Sequence, residues 1–158
     1  MPRISNAAII HQIEQPILSV RSKINENELV NFITANFEKI SDYIKELDEF
    51  ITSIPLAIYH NYQNMILNEI DIEIAFPVTK ILPEKDNIKS SLLPENKLVF
   101  SLYQGNPNDM KQFYKDLERW IELNSFEIIG PCYEYYYNGD EYGMNNLIIK
   151  TAIPIKEK

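Results

Sequence analysis

The sequence contains few of the residues on which several common kinds of site depend. Its 158 residues include four glycines, and neither GxGxxG nor GxxxxGKS/T occurs, which argues against a glycine-rich phosphate loop. The single cysteine, Cys132, excludes an intrachain disulfide and a thiolate metal cluster. Neither His11 nor His60 lies in a signature of a Ser-His-Asp or Cys-His catalytic site. We therefore expect no cofactor and no metal.

Long apolar runs and basic clusters are also scarce. No run approaches a membrane span and the N-terminus has no signal-peptide core, so we expect a cytoplasmic protein with no membrane partner. The net charge is -8, and the one local basic cluster is Lys156 and Lys158, so direct nucleic-acid binding is not expected. Length and composition suit one globular domain, and the oligomeric state stays unknown.

Two stretches have the spacing of amphipathic helices. One is predicted from about Glu28 to Phe50, with Asn25 or Asn27 as its N-cap. The other is predicted over Pro107–Leu123, with Asn106 as cap and proline in the first helical position. The stripes predicted to face the core are Leu29, Ile33, Phe37, Ile40, Ile44, Leu47 and Ile51 in the first helix and Met110, Phe113, Leu117, Trp120 and Ile121 in the second.

The strand pattern repeats along the chain. Pro55 and Pro131 open similar strands, and Pro77 and Pro154 lie late in two others. The two prolines of each pair are separated by nearly the same number of residues, 76 and 77. We predict an α+β fold of duplicated βαββ units in one domain, residues 1–158, with pseudo-repeats over about 12–80 and 97–156. The units are predicted to form a mainly antiparallel sheet with two long helices on one face and a central pocket. The proline-containing segment 81–96 is predicted to be a linker. The predicted strands are Gln15–Ile24, Pro55–Tyr62, Asp71–Val78, Lys97–Gly105, Gly130–Asn138 and the segment NLIIKTAIPI.

The segment GPCYEYYYN places a carboxylate among tyrosines. Because side chains alternate along a strand, Cys132, Glu134 and Tyr136 are predicted to share one face. Burying a carboxylate without a partner costs free energy, so the presence of Glu134 needs an explanation. Two explanations are open: Glu134 binds a ligand, or it forms an ion pair with Lys150 on the neighbouring strand.

Four segments together resemble the GyrI-like family, the effector-binding domain of bacterial multidrug-responsive transcription activators. They are EQPILSVRSKI, DIEIAFPV, YQGNPNDM…LERWIEL and GPCYEYYYN…IIKTAIPI, and they cover nearly the whole chain. The resemblance implies two pseudo-symmetric βαββ halves around an aromatic-lined pocket. It also implies that the glutamate on the strand after "GP", here Glu134, attracts lipophilic cations, and that Tyr136 points into the same pocket.

The sequence departs from the family pattern at several places. Gly105, Asn106 and Pro107 stand where many members have a "GPY" pattern, and Lys150 stands where many have a glutamate. The equivalent position in the first half is Glu73. The first family-like strand begins by Gln12, so we expect a stand-alone domain without a preceding helix-turn-helix.

Three functions are compatible with these residues. We favour binding of a small hydrophobic or cationic ligand by Glu134, Tyr136, Tyr59 and Tyr103, although the two last tyrosines could instead pack in the core or lie at the surface. A second is hydrolysis of reactive small molecules, which some stand-alone family members are thought to perform, with Glu134 as general base. The third is a protein-interaction or regulatory module with an acidic surface.

Overall fold

The computed structural model of the protein describes residues 3–158. These residues form two compact units: a middle unit, Ile13–Glu95, and a terminal unit, which joins residues 3–12 to Asn96–Lys158. Within residues 3–158 the chain forms nine strands and two α-helices. In chain order they are β1 (Ala8–Gln12), β2 (Gln15–Ile24), α1 (Leu29–Glu46), β3 (Leu56–Tyr59), β4 (Ile70–Pro77), β5 (Lys89–Leu93), β6 (Asn96–Gly105), α2 (Lys111–Leu123), β7 (Phe126–Ile128), β8 (Cys132–Tyr136) and β9 (Leu147–Glu157).

The two units repeat one strand arrangement. The middle unit has the antiparallel order β3-β4-β2-β5, and the terminal unit has the antiparallel order β8-β9-β6-β1, with β7 paired to the end of β9. Pro77 lies opposite Ile17 in the first unit, and Pro154 lies opposite Leu98 at the equivalent place in the second. The predicted α+β class and the duplicated βαββ unit are therefore confirmed.

Three short strands were not predicted from the sequence. β5 lies inside the segment 81–96 and pairs with β2, so the prediction of a linker between the halves is wrong: the segment up to Glu95 belongs to the middle unit. β1 pairs with β6, and the three-residue β7 pairs with the last residues of β9. Each strand is short, and β1 and β5 pair with one neighbour only, so they need little apolar alternation to form.

Helical structure begins where the sequence predicts, with a 3₁₀ turn over Pro107–Asp109 before α2, but α1 ends earlier than predicted. A 3₁₀ turn over Glu26–Glu28 leads into α1, and Asn25 caps it. Asp48 adopts a left-handed backbone with φ 57°, which ends the helical path, and Phe50 is 71% exposed. Ile51 lies beyond the helix and is 41% exposed, so its predicted burial is wrong. Ile40 and Ile44, in the second half of α1, are buried as predicted.

The second helix buries the centre of its predicted stripe. Phe113, Leu117 and Ile121 are buried in α2. Trp120 is only partly buried, and its ring stacks on Phe126 with centroids 6.4 Å apart. Neither α-helix formed by residues 3–158 combines the length and apolar character needed to cross a membrane.

Candidate ligand-binding site

Glu134 occupies the middle of β8 and is 8% exposed. It lies opposite Thr151 on β9, and Thr151 in turn lies opposite Ser101 on β6. Ser101 and Thr151 are also buried, so the three side chains form a buried polar row across three strands. The row was not predicted. Its signal is a hydroxyl residue inside each of two largely apolar segments, Ser101 in "LVFSLY" and Thr151 in "IIKTAIP".

Two tyrosine hydroxyls hold the Glu134 carboxylate. Tyr136 donates to Oε1 at 2.7 Å, and Tyr114 donates to Oε2. Tyr136 lies two residues along the same strand, which agrees with the predicted shared face. Tyr114 comes from α2, so the helix and the strand hold the acid between them.

The partner Tyr114 was missed by sequence reasoning, although a signal for it exists. It follows Met110 by one helical turn and precedes Leu117 by nearly another, so it lies on the edge of the buried stripe. Its hydroxyl also lies 3.6 Å from Sγ of Cys132. Burial and, to a smaller extent, the nearby Glu134 charge hold the pKa of the Cys132 thiol well above its usual value. Cys132 is therefore a neutral thiol at pH 7, not a nucleophile.

A small aromatic core supports the tyrosines. Buried Tyr103, Met110, Phe113 and Ile149 pack together, and Tyr114 and Tyr136 pack against them. The rings of Tyr103 and Phe113 meet edge to face with centroids 5.3 Å apart. The predicted ligand-binding residue Tyr103 is 1% exposed, and its hydroxyl donates to the Asn106 carbonyl at 2.6 Å. It lies beside the site, and its contact with a ligand stays a prediction.

The turn after β6 requires a glycine. Gly105 has φ 155°, and a Cβ built on it would lie 2.8 Å from the Tyr103 hydroxyl oxygen. Any side chain there would disturb both the backbone and the position of Tyr103.

The proposed ion pair between Glu134 and Lys150 is wrong. Lys150 lies opposite Tyr135, while Glu134 lies opposite Thr151. Because side chains alternate, this register places Lys150 on the other face of the sheet. Its ammonium nitrogen lies 4.3 Å from the centroid of the Tyr135 ring and 5.6 Å from that of Phe100.

The equivalent strand of the middle unit carries Tyr59 but no acid. Tyr59 lies opposite Ile72, as Tyr136 lies opposite Ile149, which supports the alignment of the two repeats. Ala57, which is fully buried, takes the place of Glu134. Tyr59 is partly exposed at the end of β3, and its role in a site stays a prediction.

Glu73 occupies in β4 the place that Lys150 has in β9. His60 Nε2 lies 2.7 Å from its Oε1, and the Ser19 hydroxyl donates to its Oε2 at 2.5 Å. Burial tends to raise the pKa of Glu73, but these hydrogen bonds outweigh burial and lower it. Arg21 lies on the same face and forms a bidentate pair with the Asp71 carboxylate.

The protein is thus a duplicated α+β domain with a buried carboxylate among tyrosines. A family model described as "GyrI-like small molecule binding domain" matches residues 6–156, and the chain belongs to this family. A comparison with curated protein sequences gives no match.

Several solved structures share the fold. EcmrR in its complex with DNA superposes with a TM-score of 0.84 at 17% identity, covering 97% of this chain and 58% of EcmrR. The EcmrR C-terminal domain superposes with a TM-score of 0.79 at 16% identity, covering 98% of this chain and 99% of that domain. The chain thus spans little more than half the length of EcmrR in the DNA complex.

Two further proteins are more distant. SAV2435, solved bound to tetraphenylphosphonium, has a TM-score of 0.59 at 12% identity, with coverage of 96% and 94%. A hydrolase from Listeria innocua has a TM-score of 0.70 at 9% identity, with coverage of 99% and 94%. At such identities the likeness shows the fold alone, so it does not favour a hydrolase function.

Proposed function

We propose that this domain binds lipophilic cations and that the Glu134 carboxylate supplies the opposite charge. The observation that carries the proposal is an acid, 8% exposed, held by two tyrosine hydroxyls in a small-molecule-binding domain. Tyr136 is its neighbour in the site, and Tyr59 and Tyr103 are retained as candidate pocket walls.

The surroundings of Glu134 suit a cation with apolar groups. Each aromatic face attracts a cation by about 0.5–2 kcal/mol, and apolar ligand surface gains free energy on leaving water. The charge attraction is stronger at a buried carboxylate than in water, because the local dielectric constant is lower. The structure of SAV2435 with tetraphenylphosphonium supports this class of ligand for a protein of the same fold.

The buried polar row gives independent support for a polar or charged ligand. The hydroxyl of Thr151 is buried and has no hydrogen-bond partner among residues 3–158. A buried polar group without a partner costs about 1–3 kcal/mol. Its position directly opposite Glu134 offers a ligand one further polar contact beside the acid.

Tetraphenylphosphonium titrated by calorimetry tests the proposal. We expect Glu134→Gln to weaken binding by about 1.5–3 kcal/mol, roughly 10- to 150-fold, because the amide keeps the shape and loses the charge. Glu73→Gln is the matched control, since it removes another largely buried carboxylate, in the other unit, and should leave the affinity unchanged. Tetraphenylborate, which has the same shape and the opposite charge, should bind the native protein more weakly.

Two outcomes would contradict the proposal. One is equal affinity of the native protein and a folded Glu134→Gln variant for tetraphenylphosphonium. The other is tetraphenylborate binding as tightly as tetraphenylphosphonium, because shape and not charge would then determine recognition. Melting temperatures of all variants confirm that each remains folded.

A further inference from the structure

Lys150 is a cation without an acidic partner on the sheet face opposite Glu134. Among residues 3–158 it forms no ion pair, and its ammonium group lies over the rings of Tyr135 and Phe100. The side chain is partly buried, and burial lowers the pKa of its ammonium group. The rings attract the cation, but they do not neutralise its charge.

The repeat shows that this lack of a partner is specific to the terminal unit. Glu73, at the equivalent place in the middle unit, has the Ser19 hydroxyl and the His60 imidazole as partners. Arg21 and Asp71 pair with each other beside it. Glu73, Arg21 and Asp71 therefore each have a hydrogen-bond or ion-pair partner within the middle unit, whereas Lys150 has an ion-pair partner nowhere among residues 3–158.

The surface around Lys150 is apolar and partly open. Leu102 and Tyr135 lie directly opposite it on the two neighbouring strands. Leu102, Phe100 and Ile148 are all partly exposed. Ile4, whose backbone N–H donates to the Leu102 carbonyl, is 46% exposed. An ammonium group thus lies within a surface of apolar and aromatic side chains.

We propose that Lys150 and this surface form a second ligand site, which binds aromatic carboxylates. The carboxylate pairs with the Lys150 ammonium, and the aromatic group packs against Phe100 and Leu102. A carboxylate supplies the opposite charge that the unit itself lacks here, and partial burial strengthens the pair relative to one in water. The ligand charge is the reverse of that expected at Glu134, so the two sites are chemically distinct.

Binding of 2-naphthoate and of its neutral isostere 2-naphthamide, followed by protein NMR shifts, tests this site. We expect the native protein to prefer the carboxylate and Lys150→Met to lose at least tenfold in affinity for it. Lys97→Met is the matched control, because Lys97 also lies over a ring, that of Phe126, but has Glu157 nearby. It should bind 2-naphthoate as the native protein does.

Several results would overturn the second site: equal binding of the two probes, no binding of 2-naphthoate, or unchanged binding by Lys150→Met. If Lys150→Met does not fold, Lys150→Arg and Lys150→Gln replace it. Binding kept by arginine and lost with glutamine supports the site, and binding kept by both overturns it. Tetraphenylphosphonium affinity should be unchanged in these variants, so failure at one site is distinguishable from failure at the other.

Discussion

Three buried or partly buried charged residues in this protein are accommodated by three different sets of neighbours. Glu134 accepts hydrogen bonds from two tyrosines, Glu73 contacts a serine hydroxyl and an imidazole, and Lys150 lies over two rings. A carboxylate needs donors once it leaves water, whereas an ammonium group also gains from aromatic faces. Each arrangement therefore matches the chemistry of its charge.

Glu73 is one carboxylate that links the stability of the fold to pH. Its folded pKa is lowered, so it lies below the unfolded value of about 4.3. The stabilisation is fully present above that value and is lost as the pH falls through the folded pKa. We expect Glu73→Gln to flatten the decline in unfolding free energy between about pH 5 and pH 3, as measured by urea denaturation.

A surface glutamate provides the control for this experiment. Glu38 is exposed on α1, and Glu38→Gln should retain the native pH dependence. If Glu73→Gln instead declines as steeply as the native protein, the hydrogen bonds to Glu73 do not stabilise the fold.

At the scale of elements, α1 begins at a reciprocal cap. Asn25 Oδ1 accepts from the Asn27 backbone N–H at 3.2 Å, and Glu28 Oε1 accepts from the Asn25 N–H at 3.0 Å. These bonds satisfy donors that the start of a helix leaves without intrahelical partners. The sequence allowed either Asn25 or Asn27 as the cap, and the structure assigns the role to Asn25.

This assignment can be tested by thermal or chemical denaturation. We expect Asn25→Ala to lower the free energy of unfolding by about 0.5–2 kcal/mol, the usual effect of removing a cap. Asn27→Ala should change it much less, because the Asn27 side chain is exposed and contributes only its backbone N–H to the cap. Equal losses from the two variants would show that the side-chain cap contributes little.

At the scale of the whole molecule, the net charge of the protein affects which macromolecules it can bind. The net charge is -8, and phosphate contacts from lysine and arginine supply most non-specific DNA affinity. EcmrR was solved with DNA, but that chain is considerably longer than this one. The shared fold therefore does not by itself imply DNA binding by these 158 residues.

We expect the 158-residue chain to show no measurable binding to duplex DNA at an ionic strength of about 0.15 M. Fluorescence anisotropy of a labelled duplex measures this directly. A second titration at low salt shows whether any weak binding is electrostatic. A low-micromolar dissociation constant at the higher salt would contradict the prediction.

The sequence by itself determined the repeated βαββ plan, the two helices and the shared face of Glu134 and Tyr136. These features depend on local periodicity, caps and turns, which neighbouring residues specify. It did not predict β1, β5 and β7, because short edge strands are specified mainly by the strands beside them.

Only the tertiary structure decided which groups meet at each charge. Tyr114 reaches Glu134 because α2 packs against the sheet that contains β8, and no local pattern specifies that contact. The β8–β9 register separates Lys150 from Glu134, since a shift of one residue moves a side chain to the opposite face. Register depends on pairing between residues distant in the chain, and so the partners of these charges follow from the folded protein.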